Sequence, residues 1–480
     1  MAKTVVLYPG LAVSHFVPML QLADALQAEG YAVKVALIDP SLRGDIAFAA
    51  AVSRIASSKH SVTFHTLPRI ENPPAMTNDA RFLVRYLDLV RRHNQHLHDF
   101  LCSMPPGSVH AMIVDVVSVE AFDVTRKLGI PAYTFYPSNA SALATTVQVT
   151  LFRAEGHPSF KELGDTPLNL HGVPPVPASH LYGELLENPE SEMCKSMMNL
   201  SRGMLESNGI LVNTFLSLEA RAVGALMDPQ CFPAMPAVYC VGPLVAGASE
   251  AKEKHECLAW LDKQPERSVV FLCFGGIGAS SHSEEQLKKI AVGLEKSGHR
   301  FLWVVRAPPP TDDPFDPRAD QDLDALLPEG FLERTSGRGF VVKLWVPQVD
   351  VLHHLATGAF VTHCGWNSVL EGITAGVPML CWPLYSEQMM NMVFMVEEFG
   401  VGVEVEGWKG LVNADEVEAK VKLLMESEEG ERLRARVTKH MEDAALAWKD
   451  GGSAGVAFKR FLSDAGNVNL VRHVLDASVT

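Results

Sequence analysis

GAFVTHCGWNSVLEGITAGVPMLCWP, residues 358–383, carries a strand, a turn, a helix and a second strand in one short stretch. Residues 359–362 end an apolar strand, and Gly365 lets the backbone turn tightly. Asn367 or Ser368 is placed to cap a helix whose apolar stripe is Val369, Leu370 and Ile373. MLCWP then returns as a strand. Strand, helix and strand in this order build a parallel sheet, and the alternation continues on both sides of the stretch. Upstream, SVVFLCFGG (268–276) is a strand entering a glycine-rich loop, and FLWVVR (301–306) is the next strand. Between them SEEQLKKIAVGLEKSG (283–298) reads as a helix capped by Ser283 and stopped by Gly298.

The N-terminal half begins in the same manner. TVVLY (4–8) is a buried strand, PGLAV a loop, and Ser14 is placed to cap a helix. Met19, Leu22, Ala23 and Leu26 follow the i, i+3, i+4, i+7 pattern, and Gly30 ends it. AVKVALID (32–39), VHAMIVDVV (109–117) and IPAYTFYP (130–137) are further strands. Two such series, one per half, predict an α/β protein of two doubly wound domains. Apolar order gives way to small and charged residues across 238–256, so the domains are drawn at 1–243 and 257–455, joined by a linker at 244–256. GSAGVAFKRFLSDA (452–465) reads as part of a closing helix, assigned to 456–480.

Composition agrees with that division. A chain of 480 residues exceeds one ordinary core and implies two domains. At 47% hydrophobic and 20% charged residues, it has the make-up of a globular protein. A formal charge of −15 argues against a nucleic-acid partner, which needs a basic face, but not against a nucleotide held by backbone N–H groups. MAKTVVLYPG enters a strand directly, so no signal peptide is expected, and no run of about 18 apolar residues predicts a membrane span. Eight cysteines without a C-x-x-C pair suit a reduced, cytoplasmic protein. Asp320-Gln321-Asp322 resembles a D-x-D metal motif, but it follows no buried strand and reads as surface loop.

His363-Cys364 admits three chemistries: half a metal site, a Cys/His nucleophilic pair, or an anion cradle. Zinc needs four ligands at recognisable spacing, and only these two are adjacent. Neighbours leaving a strand point apart, which spoils a nucleophilic pair. A strand turning into a helix N-terminus offers N–H groups and a positive dipole end to an anion. Asn367 and Ser368 add donors, and Glu371 can accept from sugar hydroxyls.

WVPQVDVLHHLATGAFVTHCGWNSVLEGITAGVPMLCWPLYSEQ, residues 345–388, resembles without a gap the signature box of plant family-one UDP-sugar glycosyltransferases. VVLYPGLAVSHFVPMLQLA, FLCFGG and GLEKSGHRFLWVVR extend the resemblance over nearly the full length. It implies two facing Rossmann-like domains of the GT-B type with a deep cleft, the nucleotide sugar held mostly by the C-terminal half. By the same resemblance Trp345 stacks on uracil, the Val346 backbone reads the base edge, Gln348 lies by the ribose, and Glu371 takes the ribose hydroxyls. His363, Asn367 and Ser368 bind the diphosphate, with Gly365 allowing close approach, while Trp366, Glu387 and Gln388 contact the sugar. Tyr385 and Ser138 complete the expected binding set. One departure is Gly276, where the family usually has serine; its phosphate contact falls to backbone N–H, helped by Ser280 or Ser281.

His15 and Asp115 form the second constellation. Functional groups of a doubly wound sheet gather at the carboxyl ends of its strands, where these two can converge. The family pattern makes His15 the general base and Asp115 the residue that orients it. A phenol near pKa 10, as for tyrosine, can give its proton in concert with attack to an imidazole near roughly 6.5. The implied reaction is inverting transfer of glucose from UDP-glucose to a small phenolic acceptor, flavonoid-like, through an oxocarbenium-like transition state. No resident cofactor or divalent metal is required, and the enzyme is expected to act as a monomer. Phe16, Ser138, Met204 and the loop at Pro73-Pro74 are candidates for the acceptor lining. Carbon glycosylation stays open. A non-catalytic nucleotide-sugar binder is a rival, opposed by the presence of both His15 and Asp115. A dinucleotide oxidoreductase is another, opposed by Gly276-Ile277-Gly278-Ala279-Ser280-Ser281, which is not G-x-G-x-x-G.

Overall fold

Five consecutive buried residues, Thr4–Tyr8 (β1), lie near the middle of a seven-stranded sheet. A strand buried along its whole length needs cover on both faces, which is the condition of a parallel sheet. The computed structural model describes residues 3–43, 46–76, 81–151, 159–247, 254–276, 282–308 and 322–479. The chain divides into two units, Met1–Val245 with Leu446–Thr480, and Ala246–Ala445.

In the first unit β1 is followed by β2 (Ala32–Leu37), β3 (Val62–Thr66), β4 (Val109–Asp115), β5 (Ala132–Tyr136), β6 (Ile210–Val212) and β7 (Val238–Cys240). Their order is β3-β2-β1-β4-β5-β6-β7, every neighbouring pair parallel. Helix α1 (Val13–Ala28) follows β1 and buries the predicted stripe of Met19, Leu22, Ala23 and Leu26. Helix α2 (Ala140–Leu151) follows β5. In the second unit the sheet is β10-β9-β8-β11-β12-β13, again all parallel. Its strands are β8 (Val269–Cys273), β9 (Arg300–Val305), β10 (Gly339–Lys343), β11 (Thr357–Thr362), β12 (Met379–Cys381) and β13 (Gly402–Glu404). The relevant helices are α3 (Glu284–Ser297), α4 (Gln348–Leu352), α5 (Trp366–Thr374) and α6 (Gln388–Val393). Trp303, Trp382, Phe301 and Phe331 anchor this unit's core.

The last helix, α7 (Ser453–Val479), belongs to the first unit. Tyr239 of β7 donates its hydroxyl to Asp464 at 2.7 Å, and His110 Nε2 of β4 lies 3.1 Å from the Leu462 carbonyl. Side-chain bonds therefore fix α7 to β4 and β7 of this sheet.

Three local expectations change. Ser14 does not cap α1: the cap position is Ala12, with extended backbone, and Ser14 lies inside the first turn. The strand at 109–117 stops at Asp115, because the Asp115 carboxylate accepts from Val117 N–H at 3.1 Å and turns the chain into a 3-10 helix, Val116–Ala121. Gly365, not Asn367 or Ser368, occupies the cap of α5, and its φ of −64° is ordinary. The tight turn is made one residue earlier by Cys364, at φ 64°. By contrast Ser283 caps α3 by accepting from Gln286 N–H at 3.2 Å, and Gly298 ends that helix at φ 73°, both as read from sequence.

Candidate active site

Each sheet has one point where the strand order reverses, and the loops leaving the carboxyl ends of the two strands there form a ready site. In the first unit these strands are β1 and β4, with Tyr8 opposite Val114. The loop after β1 leads to His15, third residue of α1, and β4 ends on Asp115. His15 Nδ1 lies 3.0 Å from both carboxylate oxygens of Asp115. Asp115 is fully buried while the His15 side chain stays 24% exposed, so the carboxylate is closed to solvent and the imidazole is not. Gly10 makes the approach feasible: a Cβ there would come within 2.8 Å of Asp115 Oδ1. The Tyr86 hydroxyl steadies the same loop by accepting from Leu11 N–H at 3.3 Å.

Ser138, buried just past β5, belongs to this unit and edge rather than to the signature box. The helix beside it is firmly held, with buried Glu219 accepting from the N–H groups of Ala140 and Ser141 at 2.9 and 2.8 Å. Phe16 and Met204 are both fully buried, Phe16 edge-on to Phe48 at 5.7 Å, which makes them core residues in this structure. Pro73 is exposed and Pro74 half-buried.

In the second unit the reversal falls between β8 and β11, with Cys273 opposite Thr362. Past these ends lie Gly275-Gly276 on one strand and His363-Cys364-Gly365 on the other. Gly276 is exposed, and a Cβ there would meet nothing within 4 Å. Ser280, Ser281 and the Asp320-Gln321 part of the D-x-D sequence lie outside the described residues, while Asp322 caps a short helix by accepting from Asp324 N–H at 3.0 Å. Burial pushes the His363 imidazole down to about 3, with the Arg306 guanidinium adding to the shift, so the ring is neutral at working pH. Among the described residues its buried Nδ1 has no hydrogen-bond partner. A Cβ on Gly365 would lie 2.5 Å from His363 Nε2, so this glycine serves the histidine ring rather than backbone freedom. Burial holds the Cys364 thiol well above its ordinary value, which removes it as a thiolate nucleophile or ready metal ligand.

The helix end beside them is organised by Gln348. Its amide donates to Glu371 at 2.6 Å and to the Ser368 hydroxyl at 2.9 Å, gathering three of the predicted residues. Burial raises the Glu371 carboxyl to about 7, against the opposing pull of Gln348. Trp345 is 50% exposed and meets His255 edge-on at 6.0 Å, whereas Val346 is buried. Trp366, at the first position of α5, is buried, its ring 6.1 Å from that of Phe399. Gln388 is buried, and its carbonyl accepts from the N–H groups of Leu384 and Tyr385 at 2.9 and 3.0 Å. Glu387 accepts from the Ser386 hydroxyl at 2.7 Å, beside an exposed Tyr385.

The family model of UDP-glucoronosyl and UDP-glucosyl transferase matches residues 204–432. An anthocyanidin 5,3-O-glucosyltransferase from a Rosa hybrid cultivar is 39% identical over 465 residues, 94% of this chain and 96% of that protein. The chain belongs to the UDP-glycosyltransferase family. A phloretin 2′-O-glucosyltransferase from Pyrus communis is 38% identical across 96% of this chain and 99% of that protein. Among solved structures, Phytolacca americana UGT2 complexed with UDP-2-fluoro-glucose and pterostilbene is 31% identical, with a TM-score of 0.85 over 97% of this chain and 100% of that one. This UDP-glycosyltransferase is therefore an enzyme on two Rossmann-like units, with a UDP-sugar as donor. Among its described residues no helix is long and apolar enough to cross a membrane.

Sequence reasoning passed over two polar residues in this glycosyltransferase. Arg306, the single cation ending FLWVVR, donates its Nε–H to the Leu344 carbonyl at 2.9 Å. Asn391, three residues beyond Gln388, is buried and donates its amide to the Cys364 carbonyl at 2.9 Å. The signals were slight: a charge closing an apolar strand, and an amide on a helix rich in methionine.

Proposed function

We propose that the enzyme transfers glucose from UDP-glucose to a hydroxyl of a small phenolic acceptor, with inversion, giving a β-O-glucoside. The observation that carries this reading is the His15–Asp115 pair, Nδ1 at 3.0 Å from both carboxylate oxygens, in a chain of this family. A proton held on Nδ1 by the carboxylate leaves the Nε2 lone pair to receive the acceptor's proton. As that proton moves to Nε2, the acceptor oxygen bonds to the sugar's anomeric carbon. The bond from that carbon to the diphosphate breaks, and its electron pair leaves with UDP. Buried Asp115 then faces an imidazolium, which its charge stabilises.

In the second unit Trp345 is assigned to stack on uracil, Val346 to read its edge, and Gln348 with Glu371 to hold the ribose. His363, Asn367, Ser368, Gly276 and the positive end of α5 are assigned to the leaving diphosphate. Main-chain N–H of Trp366, with Tyr385, Glu387 and Gln388, is assigned to the sugar, and Ser138 to the reacting end. Flavonoid-type acceptors are favoured by relatives named for anthocyanidin and phloretin. A cytoplasmic, monomeric enzyme is proposed with these assignments; eight free cysteines, most of them buried, suit a reducing compartment.

The test is UDP release across a panel of phenols and UDP-sugars, with the product linkage read by NMR. Wild type should form a β-O-glucoside, and His15→Ala should lose a factor of about 10² to 10⁴ in kcat. Unchanged turnover in His15→Ala refutes the base assignment. A carbon-linked product refutes the O-glucoside, and a wild type without turnover refutes the reaction as a whole.

A further inference from the structure

Four described residues of the second unit with a Cβ take the left-handed backbone region, Arg267, Leu344, Cys364 and Ser386, and two of them, Leu344 at φ 67° and Cys364 at φ 64°, concern the clamps below. A Cβ resists this conformation, so surrounding contacts must hold it in place. Their positions are telling. Leu344 immediately precedes Trp345, and Cys364 sits between His363 and the start of α5. Each corner thus sets the direction of a group assigned to the donor.

Each corner also has its carbonyl held by a polar side chain from another element. Val305 stands opposite Lys343 in the sheet, so one residue further along Arg306 comes beside Leu344. Arg306 Nε–H donates to the Leu344 carbonyl at 2.9 Å, while Leu344 N–H reaches back to Val305 O at 3.3 Å. Among the described residues Arg306 forms no ion pair with a carboxylate; besides that carbonyl, its guanidinium lies by the Cys273 thiol and near His363. Asn391 reproduces the arrangement from α6, its Nδ2 donating to the Cys364 carbonyl at 2.9 Å from a buried position.

We propose that Arg306 and Asn391 are positioning residues of the donor site, each clamping the carbonyl of a left-handed corner. Arg306 thereby aims Trp345 at the base. Asn391 aims His363 and the N-terminus of α5 at the diphosphate. This rests on the donor assignments above and extends them to residues outside the recognition set.

Uridine, which lacks phosphate, separates the two ends of the site. Dissociation constants for UDP and uridine are measured on wild type, Arg306→Met and Asn391→Ala, with thermal melting as the folding control. Arg306→Met should weaken UDP and uridine by the same factor, roughly tenfold for one lost hydrogen bond. Asn391→Ala should weaken UDP roughly tenfold and leave uridine within about twofold. Leu344→Asn in the Arg306→Met background, and Cys364→Gly in the Asn391→Ala background, should recover most of each loss, because asparagine and glycine accept left-handed φ unaided. Should Asn391→Ala not fold, Asn391→Ser replaces it with the same split expected. If Arg306→Met weakens UDP but spares uridine, Arg306 is a phosphate counter-charge and the proposal fails for it. Unchanged constants, or losses that the corner substitutions leave in place, overturn the clamp. A wild type that binds neither ligand overturns the donor assignment itself.

Discussion

Asp115 shows how one buried carboxylate can be both structural and chemical. It ends β4, turns the following segment by accepting from Val117 N–H, and spans His15 Nδ1 with both oxygens. Asp115→Asn keeps the shape but removes the charge that faces the imidazolium. We expect kcat to fall about a hundredfold or more with the donor KM unchanged; an equal rise in donor KM would contradict a role confined to the base. Glu371 gives a pH signature. Burial lifts its carboxyl to about 7, so the folded protein holds that proton more tightly than the unfolded chain, whose carboxyl titrates near roughly 4.3. Its contribution therefore favours folding at low pH and is withdrawn as pH rises through that window. The proposed donor binding runs the other way, since an ionised carboxylate accepts from ribose hydroxyls more strongly than a neutral carboxyl. UDP affinity should weaken below about pH 7 by up to tenfold per unit, and Glu371→Gln should flatten the profile. A flat wild-type profile would dismiss the ionised-acceptor role. Gly276 makes a third case. Its open surroundings admit a side chain, so Gly276→Ser should fold normally and lower the KM for UDP-glucose several-fold, by one hydrogen bond to phosphate. An unchanged KM would place the loop away from the diphosphate.

At the level of elements, the sequence announced what hydrophobic periodicity controls and missed what close approach controls. Eight of the thirteen described strands in the two large sheets and the stripe of α1 follow from side-chain spacing, whereas β3, β6, β7, β10 and β13 were not marked by it. The Ser283–Gly298 framing of α3 also follows from the sequence, because its capping chemistry is local. The start of α5 is different. A turn among His, Cys and Gly suggests that glycine takes the strained conformation, yet Cys364 does, because Asn391 holds its carbonyl from a distant element. Gly365 is required for another reason, the His363 ring packed against it. Ser14 similarly looked like a cap, but the loop after β1 enters α1 two residues earlier. The residues assigned to the donor could be named from the sequence because the signature box is contiguous. Arg306 and Asn391 were not, because their partners are carbonyls, which one-dimensional patterns do not mark. This account makes Gly365→Ala informative. Its Cβ would fall 2.5 Å from His363 Nε2 and displace the ring, while the helix behind it, buried through Val369, Leu370 and Ile373, should survive. We expect an intact fold by circular dichroism and UDP binding weaker by roughly tenfold. Normal UDP affinity would mean that His363 does not touch the diphosphate.

For the molecule as a whole, the same strand order appears in both units, and each constellation sits at its own unit's point of reversal. The net charge sets a condition on how such a protein meets its donor. A chain of −15 repels an anionic nucleotide sugar at long range, and the proposed site answers with local donors: α5's N-terminus, neutral His363 and main-chain N–H groups. Long-range repulsion is screened by salt, with the Debye length falling from about 30 Å at 0.01 M to about 8 Å at 0.15 M. Short hydrogen bonds inside the site are screened far less. The two effects therefore separate experimentally. Raising ionic strength across that range should leave kcat/KM for UDP-glucose constant or raise it by up to a few-fold, with kcat itself steady. A protein that captured its donor by electrostatic steering would show the opposite, kcat/KM falling steeply with salt. Such a fall would mean that a cationic funnel outweighs the −15 background, and the hydrogen-bonding cradle would then be the lesser part of donor recognition.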